Sequence, residues 1–99
     1  MPIRIQRKRS KGWRLPPSTI YVGRPTRWGN PYKVGNPDLD NPGLFFTIYD
    51  VVNKYEQYIN SDRNFQLTII HFLRGKDLAC WCKLDQPCHA DILLRIANQ

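Results

Sequence analysis

A chain of 99 residues, 41% of them apolar and with three Trp, five Tyr and four Phe among them, holds one domain around one modest core and is too short for two. No stretch approaches the ~18 consecutive apolar residues of a membrane span, and the cationic start lacks the apolar segment and small-residue cleavage site of a secretory signal, so no membrane span and a cytoplasmic location are expected. The net charge of +7 is polarised: residues 1–33 carry nine basic side chains and no acid, against six basic and eight acidic in residues 34–99, which suits either a face that meets a polyanion or a merely solvated basic tail.

Residues 2–9, PIRIQRKR, alternate Ile3 and Ile5 with Arg4 and Gln6, the period of an edge strand with an arginine-rich outer side. The following SKGWRLPPST contains Gly12 and the Pro16-Pro17 pair and forbids regular structure. TIYVG, residues 19–23, is β-branched and aromatic and predicts a second, more buried strand. Residues 35–43, with two Asn-Pro pairs, read as a turn-rich linker. Phe45, Ile48, Val52, Tyr55 and Ile59 recur at steps of three and four, predicting an amphipathic helix over 44–60. A second helix is expected over 65–75, capped by Ser61 or Asp62 and ended by Gly75, with a strand as the alternative because of the Thr68-Ile69-Ile70 run. KDLACWC, 76–82, predicts a strand with Leu78, Cys80 and Cys82 on one side and Ala79 and Trp81 on the other. The chain closes with a helix over 87–98, Pro87 in its first turn.

These elements imply a small α+β fold, one domain over residues 1–99 with residues 1–18 a basic edge strand and irregular arm. The sheet is expected to be short, of about three strands and mostly antiparallel, covered by two to three helices.

Chemistry concentrates in CWCKLDQPCHAD, residues 80–91. Three cysteines within nine residues are a poor disulfide framework, whereas Cys80, Cys82, Cys88 and His89 match the ligand count of a Cys₃His zinc site, with His71 in reserve. Adjacent Cys88 and His89 share one metal only if Cys88 lies at an irregular helix start. The same helix start favours a thiolate, which makes Cys88 a candidate nucleophile with His89 as base or proton donor and Asp91 nearby. A third reading is that the three thiols simply fill the core beside Trp81.

The second concentration is GRPTRWGNP, residues 23–31. Arg24 and Arg27 offer planar donor forks for phosphate or carboxylate, Trp28 a face for a base, Gly29 close approach to backbone and Asn30 a polar handle. Alternatively it is a turn with Trp28 folded into the core. In LRGKD, residues 73–77, a helix end explains Arg74 and Lys76 better than a ligand does.

Together GWRLPPSTIYVGRPTRWGNPY, LRGKDLACWC and PCHADILLRIAN resemble the DUF4326 family, small proteins of bacteria and their phages named as a domain of unknown function. The resemblance spans nearly the whole chain outside residues 34–67. It implies that Arg24, Trp28, Gly29, Asn30, Pro31, Arg74, Gly75, Cys80, Trp81, Cys82, Cys88, His89 and Asp91 fall on the family's motif positions. It carries no activity with it.

Two functions follow from the residues. One is a small basic protein, zinc-stabilised in one version, that binds nucleic acid or a nucleotide: Arg4, Arg7, Lys8, Arg9, Lys11 and Arg14 neutralise phosphates while Trp13 and Trp28 stack on bases. The other is a small enzyme acting on a nucleotide, nucleoside or nucleobase, which requires the Trp28 loop and Cys88 to meet at one pocket. A phage protein that modulates a host protein is a further alternative.

Overall fold

The computed structural model describes residues 2–99. Three strands, β1 (Arg4–Gln6), β2 (Thr19–Tyr21) and β3 (Asp77–Cys80), and three helices, α1 (Ile48–Asn60), α2 (Arg63–Leu73) and α3 (His89–Ala97), follow in the order β1, β2, α1, α2, β3, α3. The α+β class and the element order are as expected. The sheet is not: β3 lies between β1 and β2, and both pairings are parallel, with Leu78 opposite Arg4 on one side and Ile20 on the other.

The expectation of antiparallel pairing fails because no connection here is a hairpin. Parallel neighbours need a crossover of a dozen or more residues. Residues 7–18, stiffened by the Pro pair, carry the chain from β1 across to β2, and α1 with α2 carry it from β2 back to the centre. The more buried strand is therefore β3, in which Leu78, Ala79 and Cys80 are all buried, while β2 is an edge.

Local chemistry sets each helix boundary. α1 starts at Ile48, not at residue 44, because Thr47 closes a capping box: its Oγ1 accepts from Asp50 N at 3.2 Å and Asp50 Oδ2 accepts from Thr47 N at 2.8 Å. Phe45 stays outside the helix, bridged to Pro37 and exposed. Asp62 caps α2 through its Oδ1 and Phe65 N, 3.1 Å, and Gly75 ends it with φ +78°, a left-handed conformation that suits glycine, so the helix wins over the strand alternative. At α3, Cys88 is the N-cap residue with extended backbone, and Pro87 lies one residue outside the helix.

Helix α3 packs on β3 and β1, and α1 and α2 pack on α3. Ile59, Ile69, Leu73, Leu78 and Leu93 are fully buried there, each contributing about 1.5–3 kcal/mol of transfer free energy. Tyr55 of α1 is buried with them and donates its hydroxyl to Trp28 O at 2.6 Å, tying the loop after β2 to the helical layer. No helix among the described residues is long and apolar enough to cross a membrane.

Candidate functional site

Three parallel strands place their carboxyl ends along one edge of the sheet. Arg7 to Arg9 leave β1 there, Val22 to Arg24 leave β2, and Trp81 with Cys82 leave β3. Crevices at the carboxyl ends of parallel strands are where open α/β sheets bind ligands. A cavity of about 290 Å³ opens at this edge. Its walls come from the loop after β2 (Gly23, Arg24, Asn30, Tyr32), from the first turns of α1 (Ile48, Val51, Val52) and from the segment joining β3 to α3 (Cys80 to Cys82, Pro87 to His89). The two sequence motifs thus meet in one pocket. Its size is at the lower end of ligand sites.

One wall carries sulfur. Cys80 Sγ and Cys88 Sγ stand 3.0 Å apart, and the sulfurs of Cys80, Cys82 and Cys88 all lie within 4.8 Å of one another. All three are free thiols, Cys80 and Cys88 buried and Cys82 half-buried. Such a group can hold a metal ion such as zinc. Hydrogen bonds from Cys80 and then Cys88 hold the Cys82 thiol well below the ordinary range, with the Arg4 charge adding to the effect. Cys80 moves the opposite way, because it donates to its neighbours and is buried.

Arg4, expected on the outer face of β1, is turned inward, with only 9% of its side chain exposed. Its Nη2 donates to Leu84 O at 2.7 Å and Lys83 O at 3.2 Å, bracing the turn after Cys82. Its Nη1 is 3.4 Å from Asp91 Oδ2 as an ion pair, yet is buried without a hydrogen-bond partner. Burial opposes the guanidinium charge, but Cys88, Asp91 and Cys80 outweigh it and hold it firmly protonated. Arg4 is therefore not a surface phosphate contact.

His89 is buried and lines the cavity. Its Nε2 donates to Val22 O at 2.7 Å, leaving Nδ1 to face Cys88 Sγ at 3.6 Å. Cys88 and His89 are thus in contact, and the group that orients the imidazole is the Val22 carbonyl. Asp91 instead pairs with Arg4 and is exposed. His71 is exposed at the end of α2, edge-on to Phe72 and apart from the sulfurs.

The loop motif divides into parts. Arg24 and Asn30 reach the cavity. Asn30 is buried and holds the loop to α1, its Nδ2 donating to Val51 O and its Oδ1 accepting from Tyr32 N, both at 2.9 Å. Trp28 does not reach it: it is in the core, stacked on Phe65 at 6.0 Å, and Arg27 covers Trp28 and Phe72 from outside. Gly29 is needed for close packing, since a Cβ there would stand 2.9 Å from Arg24 Cγ and 3.1 Å from its Cα.

The basic arm runs along the same edge. The guanidinium of Arg7 stacks on Tyr21 at 4.6 Å and on Trp81 at 5.0 Å, and that of Arg9 stacks on Trp81 at 4.6 Å. Arg7, Lys8, Arg9, Trp13, Leu15 and Trp81 line a second hollow beside the cavity. Lys11 and Arg14 are exposed on the same arm and line neither hollow. Trp81, 40% exposed, belongs to both hollows and is the functional candidate that sequence reading missed, together with Tyr21 and Tyr32. Its signal was its place between two cysteines, just past the carboxyl end of β3.

The DUF4326 family model, a domain of unknown function, matches residues 5–99. The chain belongs to that family. No curated protein and no solved structure matches it. Within this member of DUF4326, the matched region contains every wall of the cavity, the sulfur trio and all of the basic arm from Arg7 onward.

Proposed function

We propose that the chain binds a nucleotide, free or at an exposed position of a nucleic-acid strand, with the base in the cavity and phosphates on the basic arm. The observation that carries this reading is the shared wall: Trp81 borders the mostly apolar cavity on one side and the cationic hollow of Arg7, Lys8 and Arg9 on the other. A flat ring entering the cavity beside Trp81 and Tyr32 leaves its phosphate within the field of Arg7, Arg9 and Arg24. The three unpaired thiols suit a reducing, cytoplasmic setting.

Calorimetric titration with mononucleotides and with short single-stranded oligonucleotides at low salt tests it. Binding that Trp81→Ala and Arg24→Ala both weaken supports the reading; no binding of either probe at low salt overturns it. A second reading is favoured by the Cys88–His89–Val22 arrangement, a thiol, a facing imidazole nitrogen and a group that orients the ring. Under it the chain is a small enzyme on a nucleotide or nucleobase with Cys88 as nucleophile. Turnover of a bound nucleotide that is lost in Cys88→Ser is its test.

A further inference from the structure

We infer that Cys80, Cys82 and Cys88 form a three-thiolate site for a zinc-class ion whose fourth position opens into the cavity, and that buried Arg4 balances its charge. Three observations meet here. The sulfurs converge from two elements, the end of β3 and the N-cap of α3, and all three border the cavity. The converging group holds no nitrogen of His89, whose Nε2 is committed to Val22 O and whose Nδ1 stands 3.6 Å from Cys88 Sγ, so among the described residues the cluster supplies three ligands. The guanidinium of Arg4 is buried beside Cys88 and Cys80, and its Nη1 has no hydrogen-bond partner.

Charge explains why such an arginine would be kept. A divalent ion with three thiolates carries a net charge of −1, and each thiol still protonated gives its proton to solvent as the bond to the metal forms. An anion of that kind in a part-buried wall needs a compensating cation, and Arg4 is the cation in reach. Tetrahedral Zn–S bonds of ~2.3 Å set sulfurs ~3.8 Å apart, so the present 3.0 Å Cys80–Cys88 contact opens by less than 1 Å on loading. Three protein ligands and an open place are the arrangement of reactive rather than purely structural zinc sites. Whatever occupies the cavity can then offer the metal its fourth donor atom, and free imidazole can stand in for it. This inference goes beyond nucleotide binding and does not depend on it.

The experiment is titration of the reduced full-length protein with Co²⁺ and with Zn²⁺. The expected result is one ion per chain, with the visible bands of tetrahedral Co²⁺ and thiolate-to-cobalt charge transfer in the near ultraviolet, and a shift of the visible bands on adding imidazole. His89→Ala keeps the stoichiometry and the spectrum. Cys82→Ser loses the tetrahedral spectrum. Arg4→Met weakens the metal by roughly ten- to a hundredfold, as loss of an outer-shell partner does, and Arg4→Lys recovers part of it. Absence of a tetrahedral thiolate spectrum in the wild type overturns the site. A spectrum lost in His89→Ala, or indifferent to imidazole, overturns the open position. Unchanged metal affinity in folded Arg4→Met overturns the role of Arg4; if that variant does not fold, unchanged affinity in Arg4→Gln, which keeps a hydrogen-bond donor but no charge, overturns it equally.

Discussion

The salt dependence of nucleic-acid binding separates the surface cations from the one the fold removes. The basic arm presents Arg7, Lys8, Arg9, Lys11 and Arg14, whereas Arg4 is spent on Lys83 O, Leu84 O and Asp91. At about 0.7 per neutralised phosphate on a single strand, five cations give a slope of log K against log salt near −3.5, and a loss of roughly 130-fold in affinity between 50 and 200 mM. Counting Arg4 as a sixth contact would make the slope about −4.2 and the loss roughly 330-fold. Arg9→Ala is expected to flatten the slope to about −2.8, and Arg4→Met to leave it unchanged in protein that circular dichroism shows to be folded. The assay is fluorescence anisotropy of a labelled oligonucleotide across that salt range. A slope near zero, or one that Arg4→Met flattens as much as Arg9→Ala does, refutes the assignment of the arm.

Four further variants probe how the loop after β2 and the hollow beside it are held and used. Tyr55→Phe removes the donor to buried Trp28 O and is expected to cost about 1–3 kcal/mol, lowering Tm by roughly 4–24 °C in a domain of this size by calorimetry; a Tm within 2 °C of wild type, well under that ~4 °C floor, contradicts that role for the bond. Trp81→Ala should weaken oligonucleotide binding by about 1–3 kcal/mol with little change in Tm, while Trp28→Ala should cost about 3–5 kcal/mol of stability; reversed outcomes would mean the two indoles have been given each other's places. Gly29→Ala drives a methyl into the Arg24 backbone, and nucleotide affinity is expected to fall to that of Arg24→Ala; titration showing wild-type affinity would mean Arg24 does not contact the ligand.

What the sequence made legible was what neighbours along the chain determine. The caps at Asp62 and Gly75, the helical stripe of Val52, Tyr55 and Ile59, and the approach of Cys88 to Cys80 and Cys82 across one short turn all depend on contacts close in sequence. The pairing of β1 with β3 joins residues more than seventy positions apart, and nothing in either three- or four-residue strand encodes direction. Arg4 was misplaced for the same reason. Alternation with Ile3 and Ile5 sets it on one face but cannot say which face is wet, and its partners Lys83, Leu84 and Asp91 lie at the other end of the chain, while Ile3 is the residue left exposed. Trp28 posed a choice between ligand face and core that residue type does not decide; Phe65 and Phe72, supplied by α2, decide it.

The direction of the strands is also what turns a charge asymmetry into a candidate site. In an antiparallel β1, Arg7 to Arg9 would emerge at the opposite edge of the sheet from Trp81 and Cys82, and the basic arm would have no relation to the cavity. With β1 parallel to β3, the backbone N–H of Arg7 donates to Cys80 O at 2.7 Å, so the first residue of the arm is fixed one strand-width from the sulfur wall. On the other side Val22 N donates to Ala79 O at 2.9 Å, which sets the start of the arginine loop at the same height along β3. Two hydrogen bonds to consecutive carbonyls of one central strand thus align the cationic arm, the loop and the cysteines. Breaking the parallel register would separate all three at once, which is why the cavity, the arm and the cysteine trio should be lost together in variants that unpair β3, and separately in variants of single site residues.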